Sequence, residues 1–487
     1  MNAMLTRRAF AAAIPAFAGA LAAAAQSTRR KLNLVLILTD NHGAWSIGPY
    51  GNKDIRTPVL DRLAAEGVTF LRAFSNNAVC SPTRASLLTG LMPSQHGVHR
   101  YLAANGAQVG PRAYYTLEEF ETLPKIMKRN GYKTALSGKW HLGANLTPQD
   151  GFDHWITMPH GNSLGFYDQP VIENGETRKE PRYLTDLWTD HAVNFIKQNS
   201  ANPFFLFLAY NGPYGLGNSM KEPIRNRHAA YYADKELPSM PRDAAHPWNH
   251  QYASWMDDPA VRRKYAAEIS GIDDGVGRVL ETLEQQGLRD DTVVVFMGDQ
   301  GLAAGHSGFW GMGDHTRPLT AFDWTMSIPL IVSHRGKTPA GHRSSLMVST
   351  YDVLPSLIEY IGLGQKPQTS PGRSFAGVLR STPIGAWEDA VYFEFENVRA
   401  IRTPEWKFIE RIHESPNELY HLKSDAGERV NLIGDARHAR MRAELKKKLD
   451  GFFARYADPK WDLWKGGKSK SGLITGKLFG LDIVEGR

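Results

Sequence analysis

Four short runs of large apolar residues each stop at a polar tip, and this pattern restricts the fold more than any other feature of the chain. Residues 31–39 (KLNLVLILT) lead into Asp40-Asn41, and residues 132–137 (YKTALS) into Gly138-Lys139-Trp140-His141. Residues 203–210 (PFFLFLAY) lead into Asn211-Gly212-Pro213-Tyr214, and residues 292–297 (TVVVFM) into Gly298-Asp299-Gln300. Short apolar runs rich in Leu, Val, Ile and Phe fit strands buried on both faces. Helical patterns at residues 57–66, 123–130 and 260–286 separate them, and residues 68–74 and 327–333 are further strand candidates. Strands alternating with helices predict an α/β fold around a large, mostly parallel central sheet. In open α/β sheets ligands bind beyond the carboxyl ends of the strands, so the four tips are expected to meet. Two acid–amide pairs at equivalent strand ends are more than turn chemistry requires.

The texture changes after about residue 345. A Pro/Gly/Ser stretch at residues 367–372 precedes short strand-like runs at 391–396, 398–403, 406–412 and 418–422, then a helical pattern at 436–453. This predicts a smaller antiparallel sheet with a helix. The expected division is a catalytic domain over residues 31–375 and a C-terminal subdomain over 380–487 with a basic tail. Residues 461–470 mix aromatic and basic side chains and read as a surface wrap.

Residues 1–25 read as an export signal. Arg7-Arg8 precede Phe10 and an alanine-rich run ending at Ala23-Ala24-Ala25, a pattern similar to twin-arginine signals. The mature protein is therefore expected to be periplasmic or secreted. No other apolar stretch is long enough for a membrane span. The net charge of +7 is modest and gathers partly in the N-terminal arginines and the tail, which argues against nucleic acid as a partner.

Cys80 is the only cysteine in 487 residues, so the chain forms no internal disulfide. An exported thiol in an oxidising compartment is either buried or does not remain a thiol. Within CSPTRASLLTG, Ser81 is the expected helix N-cap, Pro82 the first helical residue and Gly90 the stop. Cys80 would then precede a helix N-terminus, where free N–H groups favour an anion, with Arg84 one turn further on.

Asp40, Asn41, Asp299 and Gln300 offer only oxygen ligands, which suits Ca²⁺ or Mg²⁺ rather than zinc. A cation held there beside Cys80, Arg84 and Lys139 makes a positive pocket for a tetrahedral oxyanion ester.

These residues carry a family resemblance. CSPTR followed by ASLLTG resembles the signature of the formylglycine-dependent sulfatases, Cys-x-Pro-x-Arg with a downstream Thr-Gly. Thr39-Asp40, SGKWHLG at residues 137–143, FMGDQG at 296–301, Arg402, Trp406-Lys407, ELYHL at 418–422 and Asn431-Leu432 follow in the family's order. The resemblance covers nearly all of the mature chain. It implies an alkaline-phosphatase-like sandwich with a small C-terminal subdomain, and hydrolysis of organic sulfate esters, either sulfated carbohydrates or aryl sulfates. It implies that a maturation enzyme oxidises Cys80 to formylglycine, whose hydrate attacks sulfur and forms a sulfated enzyme intermediate. It maps Asp40, Asn41, Asp299 and Gln300 to the ligands of a metal, usually Ca²⁺, that also touches the residue derived from Cys80. It maps Arg84 and His141 to the diol, and Lys139 to the diol and sulfate.

The sequence departs from the common pattern at Asn41 and Gln300, which lower the negative charge of the metal site. It departs again at Tyr214, where a histidine is frequent, and in GDHTRPLT, which lacks the usual lysine. Arg317 is a candidate for the sulfate contact, His306 and His315 for protonating the leaving group, and Tyr214, Asn211 and His160 for substrate contact. Residues 214–250 and 305–317 are the expected specificity loops. Two alternatives stand beside the sulfatase reading: a phosphonate or phosphate ester hydrolase of the same superfamily, and a non-catalytic protein that binds sulfated ligands.

Overall fold

The apolar runs become the middle of one ten-stranded sheet. The computed structural model describes residues 31–103, 106–364 and 369–481; the expected export signal lies outside them. In chain order the strands are β1 (Asn33–Asp40), β2 (Val68–Phe74), β3 (Lys133–Gly138), β4 (His154–Thr157), β5 (Gln169–Glu173), β6 (Glu176–Glu180), β7 (Phe204–Pro213), β8 (Thr292–Gly298), the two-residue pair β9 (Ala303–Ala304) and β10 (Trp310–Gly311), β11 (Leu330–Ser333) and β12 (His342–Ser349). The large sheet runs β12-β2-β11-β8-β1-β7-β3-β4-β5-β6. Strands β8, β1, β7, β3 and β4 are parallel, while β11, β5 and β6 join antiparallel. The β5–β6 hairpin and β12 carry mixed polar sequences and gave no strand pattern. The run at 327–333 pairs regularly only from Leu330, because Pro329 has no N–H to give a ladder.

Helices cover both faces. They are α1 (Pro58–Ala65), α2 (Cys80–Thr89), α3 (Leu123–Arg129), α4 (Leu184–Gln198), α5 (Pro259–Gln285), α6 (Val353–Ile361) and α7 (Ala439–Tyr456). Side chains alternate across β1, so Leu34, Leu36 and Leu38 pack with Leu87 of α2, Ile126 of α3 and Leu357 of α6. Val35 and Ile37 face the other way, onto Leu63 of α1, Leu187 of α4 and Ile272 of α5. Every residue of β1 is buried, which is why it reads as a continuous apolar run. Truncating one of its leucines to alanine costs about 3 kcal/mol. Helix α5 starts where Asp258 accepts from the N–H groups of Ala260 and Val261, ahead of Pro259 in the first turn.

The second sheet is an antiparallel meander of β13 (Val391–Phe395), β14 (Val398–Arg402), β15 (Trp406–Arg411) and β16 (Glu418–His421), within a residue or so of the predicted runs. One face takes Leu445, Leu449 and Phe453 of α7 onto Tyr392, Ile401 and Phe408. The other, with Phe393, Phe395 and Ile409, is continuous with the main core. Among the described residues, no helix is long and apolar enough to cross a membrane.

Candidate active site

Strand register assembles the site. Thr39 of β1 pairs with Gly298 of β8, so the next residues, Asp40 and Asp299, leave the sheet side by side. Asp40 also pairs with Pro213 of β7, which sets Tyr214 next to Asn41. Gly138 of β3 pairs with Ala209 of β7 and delivers Lys139 to the same end. At three of these ends a non-glycine residue takes the left-handed conformation: Asn41 (φ 56°), His141 (φ 62°) and Tyr214 (φ 64°). Asn tolerates this region; His and Tyr do so at a cost, and such strain gathers at functional sites.

Cys80 lies at the focus. Its thiol donates to Asp40 Oδ1 at 3.2 Å and receives an N–H from Gln300 at 3.1 Å. Lys139 Nζ donates to Asp40 Oδ2 at 2.5 Å. Arg84 grips Asp299 Oδ2 through Nε (3.1 Å) and Nη2 (2.9 Å), and its Nη1 donates to the Lys139 carbonyl at 2.7 Å. The N–H groups of Asn41 and Gln300 both donate to Asp299 Oδ1. All of these side chains are buried. Burial, then Asp40, pushes the Cys80 thiol far above its usual range, so it stays protonated. Burial and Asp40 likewise push the Asp299 carboxyl up, against the pull of Arg84 and Lys139.

Helix α2 differs from expectation at its start. It begins at Cys80 itself, with Val79 as N-cap, and Ser81 does not cap it. Ser81 Oγ is used elsewhere: it donates to the His141 carbonyl at 2.8 Å and accepts from the Leu102 N–H at 3.0 Å. Asn77 holds the entry by accepting from the Val79 N–H. Gly90 ends the helix in the left-handed region, as expected.

His141 Nε2 sits 2.9 Å from the Leu102 carbonyl and must donate to it, which leaves Nδ1 bare. That nitrogen is buried with no partner among the described residues. Burial, then Lys139, holds the imidazole well below its usual range. Gly161 lies against this ring, where a Cβ would come within 1.9 Å of Cδ2. His160 follows the same wall in the field of Lys139. Tyr214 is buried with Lys139 Nζ 5.5 Å above its ring, so it braces the lysine by a cation–π contact. Burial keeps its hydroxyl protonated.

The opposite wall is the loop after β10. Gln300 Nε2 reaches Met312 Sδ at 3.4 Å, and Gly313 packs against Ala78. In the neutral ring His315 Nδ1 accepts from the Met312 N–H at 3.2 Å and the proton sits on Nε2. Asp314 Oδ1 lies 3.2 Å from the same Nδ1. The Tyr252 ring stands 5.0 Å from the His315 ring, and Tyr252 and Asp314 both act on Tyr214. Asp314 was not among the sequence candidates, although it adjoins His315.

Three sequence candidates take up other work. His306 is packed between Trp45 (4.6 Å) and Trp324 (4.3 Å), and burial lowers it to about 4. Arg317 is exposed, and its Nη1 donates to the carbonyls of Asp314 and Thr316. Asn211 accepts from Trp188 Nε1 at 2.9 Å and donates to Ser163 Oγ at 3.2 Å, tying down the loop after β4. None of their hydrogen bonds goes to the Cys80 cluster.

The donor set fits a hard divalent cation. Ligand atoms of Asp40, Cys80 and Asp299 lie within 4.8 Å of one another. Asn41 Oδ1 is adjacent, bonded by Gln300 Nε2. Gln300 Oε1 is buried with no partner among the described residues, and half a turn of the amide presents it to the same point.

A sheet whose strand tips surround one buried residue with two carboxylates, a lysine and an arginine follows the alkaline-phosphatase-like plan for hydrolysing oxyanion esters. Comparison with known proteins narrows that class. The Sulfatase family model matches residues 32–363, and the model for the N-sulphoglucosamine sulphohydrolase C-terminal region matches residues 316–454. The chain belongs to the sulfatase family and is a sulfuric ester hydrolase. It is 26% identical to N-acetylglucosamine-6-O-sulfatase of Bacteroides thetaiotaomicron over 89% of this chain and 88% of that one. It is 29% identical to human N-acetylgalactosamine-6-sulfatase over 68% of this chain and 62% of that one. The same fold occurs in a protein solved with its substrate D-glucosamine-2-N,6-O-disulfate (TM-score 0.69, 24% identity, 88% of this chain and 98% of that one). It also occurs in the phosphonate monoester hydrolase of Agrobacterium radiobacter (TM-score 0.69, 20% identity, 88% and 97%).

Proposed function

We propose that this protein removes sulfate from sulfated carbohydrates after export, using a formylglycine made from Cys80 and a Ca²⁺ ion held by Asp40, Asn41, Asp299 and Gln300. The setting of Cys80 carries this reading. The thiolate, not the thiol, is the nucleophilic form of cysteine, and burial beside Asp40 and Asp299 keeps this thiol protonated. Left unmodified, Cys80 would be nearly inert at the one point where Lys139, Arg84 and the two carboxylates meet. A formylglycine at this point would supply a hydroxyl nucleophile, and a cation held by Asp40, Asn41, Asp299 and Gln300 would polarise the ester oxygens.

The chain's own residues do the rest. Lys139, 2.5 Å from Asp40, is placed to bind a sulfate oxygen and steady developing charge. Arg84 fixes Asp299 and the start of α2 relative to each other. His141 offers bare Nδ1 as the proton acceptor on the nucleophile side. His315 serves as the acid for the leaving oxygen in its imidazolium form, which Asp314, 3.2 Å from Nδ1, favours against the opposing effect of burial. Tyr214 holds Lys139 rather than acting as an acid. Relatives that act on 6-sulfated amino sugars support a carbohydrate substrate. Residues 31–375 carry the chemistry in this reading, and residues 380–487 complete the fold.

The test pairs two measurements. Mass spectrometry of the Cys80 peptide, after co-expression with a maturation enzyme, is expected to find the aldehyde or its hydrate. A substrate panel of N-acetylglucosamine 6-sulfate, N-acetylgalactosamine 6-sulfate, 4-nitrophenyl sulfate and a phosphonate monoester is expected to rank the sugar sulfates first. Preference for the phosphonate would replace this reading with ester hydrolysis at phosphorus.

A further inference from the structure

The aromatic and basic segment near the C-terminus lies beyond both family-model matches, which end at residues 363 and 454. It nevertheless reaches the loop that holds His141. Trp461 packs on Gly97, where a Cβ would come within 2.6 Å of the indole, and its carbonyl accepts from His99 Nε2 at 2.9 Å. The Lys470 N–H donates to the Gly97 carbonyl at 2.7 Å. Ser471 Oγ then accepts two consecutive backbone N–H groups, from His99 (3.2 Å) and Arg100 (3.0 Å). Two residues further along that loop, the Leu102 carbonyl accepts from His141 Nε2 and fixes its tautomer.

A second route comes from the same segment. Lys470 Nζ donates to the Thr116 carbonyl at 2.7 Å and pairs with Glu119. Thr116 donates through both its N–H and its hydroxyl to the carbonyl of Leu142, the neighbour of His141. The far end is anchored on the small sheet, where Glu396 accepts from the N–H groups of Ile474 and Thr475 and from the Thr475 hydroxyl. Ser471 and Lys470 are both buried.

We propose that residues 461–475 form a strap that positions His141, gripping it from both sides through Leu102 and Leu142. Ser471 and Lys470 are its positioning residues. Removing the Ser471 hydroxyl leaves the buried N–H of His99 and the half-buried N–H of Arg100 without their acceptor, and removing Lys470 Nζ frees the Thr116 carbonyl. Either change loosens the Leu102 carbonyl or the Leu142 turn, and with it the direction of Nδ1. The functional consequence rests on the reading of His141 as the proton acceptor; the structural consequence does not.

The experiment uses the full chain and the variants Ser471→Ala, Lys470→Met and Ser471→Thr. Steady-state kinetics with 4-nitrophenyl sulfate, well below each melting temperature, are expected to show kcat about ten-fold lower or less in the first two, with KM within about two-fold. Ser471→Thr, which keeps the acceptor oxygen, is expected to restore kcat. Independently of turnover, nitrogen-15 NMR of histidine-labelled protein is expected to show the His141 Nε2–H exchanging with water at least about ten-fold faster in Ser471→Ala and Lys470→Met. Wild-type exchange in both variants would overturn the strap. So would unchanged kcat with only a lower melting temperature, or a rise in KM alone. An inactive wild type with the expected exchange changes would count against the sulfatase chemistry and not against the strap.

Discussion

Gln300 gives an N–H to Cys80 Sγ at 3.1 Å while its own Oε1 is buried without a partner among the described residues. Half a turn of the amide would present this oxygen to a cation held by Asp40 and Asp299, as the proposed metal site requires. Adding Ca²⁺ is expected to stabilise the protein, by about 2.7 kcal/mol at a hundred-fold excess over Kd. Gln300→Leu removes a ligand and is expected to weaken binding while keeping the fold. Calorimetric titration of both proteins checks this, and equal affinities would remove Gln300 from the ligand set.

Cys80→Ala removes the thiol and with it the precursor of the aldehyde. Turnover of every sulfate ester is expected to fall to background, with little change in melting temperature. Activity surviving in this variant would place the nucleophile elsewhere.

Lys139→Met leaves the Asp40 carboxylate buried without its 2.5 Å partner. Breaking a buried pair on one side costs about 3–5 kcal/mol. Urea unfolding is expected to show that loss together with loss of activity. A stability within 1 kcal/mol of wild type, by the same roughly 3–5 kcal/mol rule, would mean that water or a cation replaces the ammonium.

His315→Gln is expected to slow sugar sulfates far more than 4-nitrophenyl sulfate, because nitrophenolate leaves without help from an acid. The ratio of the two rates is the readout. Equal losses would assign His315 to binding instead.

His306 titrates near 4 in the folded state because it is buried, against 6.5 as its ordinary value. Between these values the unfolded chain holds the extra proton, so the contribution is present above pH 6.5 and is lost as the pH falls toward 4. His306→Phe keeps the stack between Trp45 and Trp324 and removes the titration. Its stability is expected to fall less steeply from pH 6.5 to 4, by up to about 3 kcal/mol. Denaturant melts across that range compare the two slopes; parallel slopes would exclude His306 as a source.

Much of the site was legible because it sits on strands. Asp40 and Asp299 end apolar runs, and parallel register alone sets them side by side. Lys139 follows from the same rule. The loops were not legible, because a polar residue in a loop has no periodicity to show where it points. His306 and His315 look equivalent in sequence; only the stack of Trp45 and Trp324 around one and the Met312 N–H against the other separates them. Asn211 follows a strand like the others, but Trp188 and Ser163 turn it to structural use. Ser81 had the chemistry of a cap and is used to join Leu102 to His141. The Leu102 carbonyl carries no sequence signal, since any residue supplies one.

The left-handed backbone at His141 and Tyr214 sets a limit on how this enzyme can be improved. Glycine adopts that conformation freely, so a library selected for heat resistance alone would drift toward glycine at both positions. Each such step would discard the imidazole, or the ring beneath Lys139. Thermal stability and turnover are opposed at these two positions, and stabilising changes belong in the helices and the small sheet, away from the strand tips.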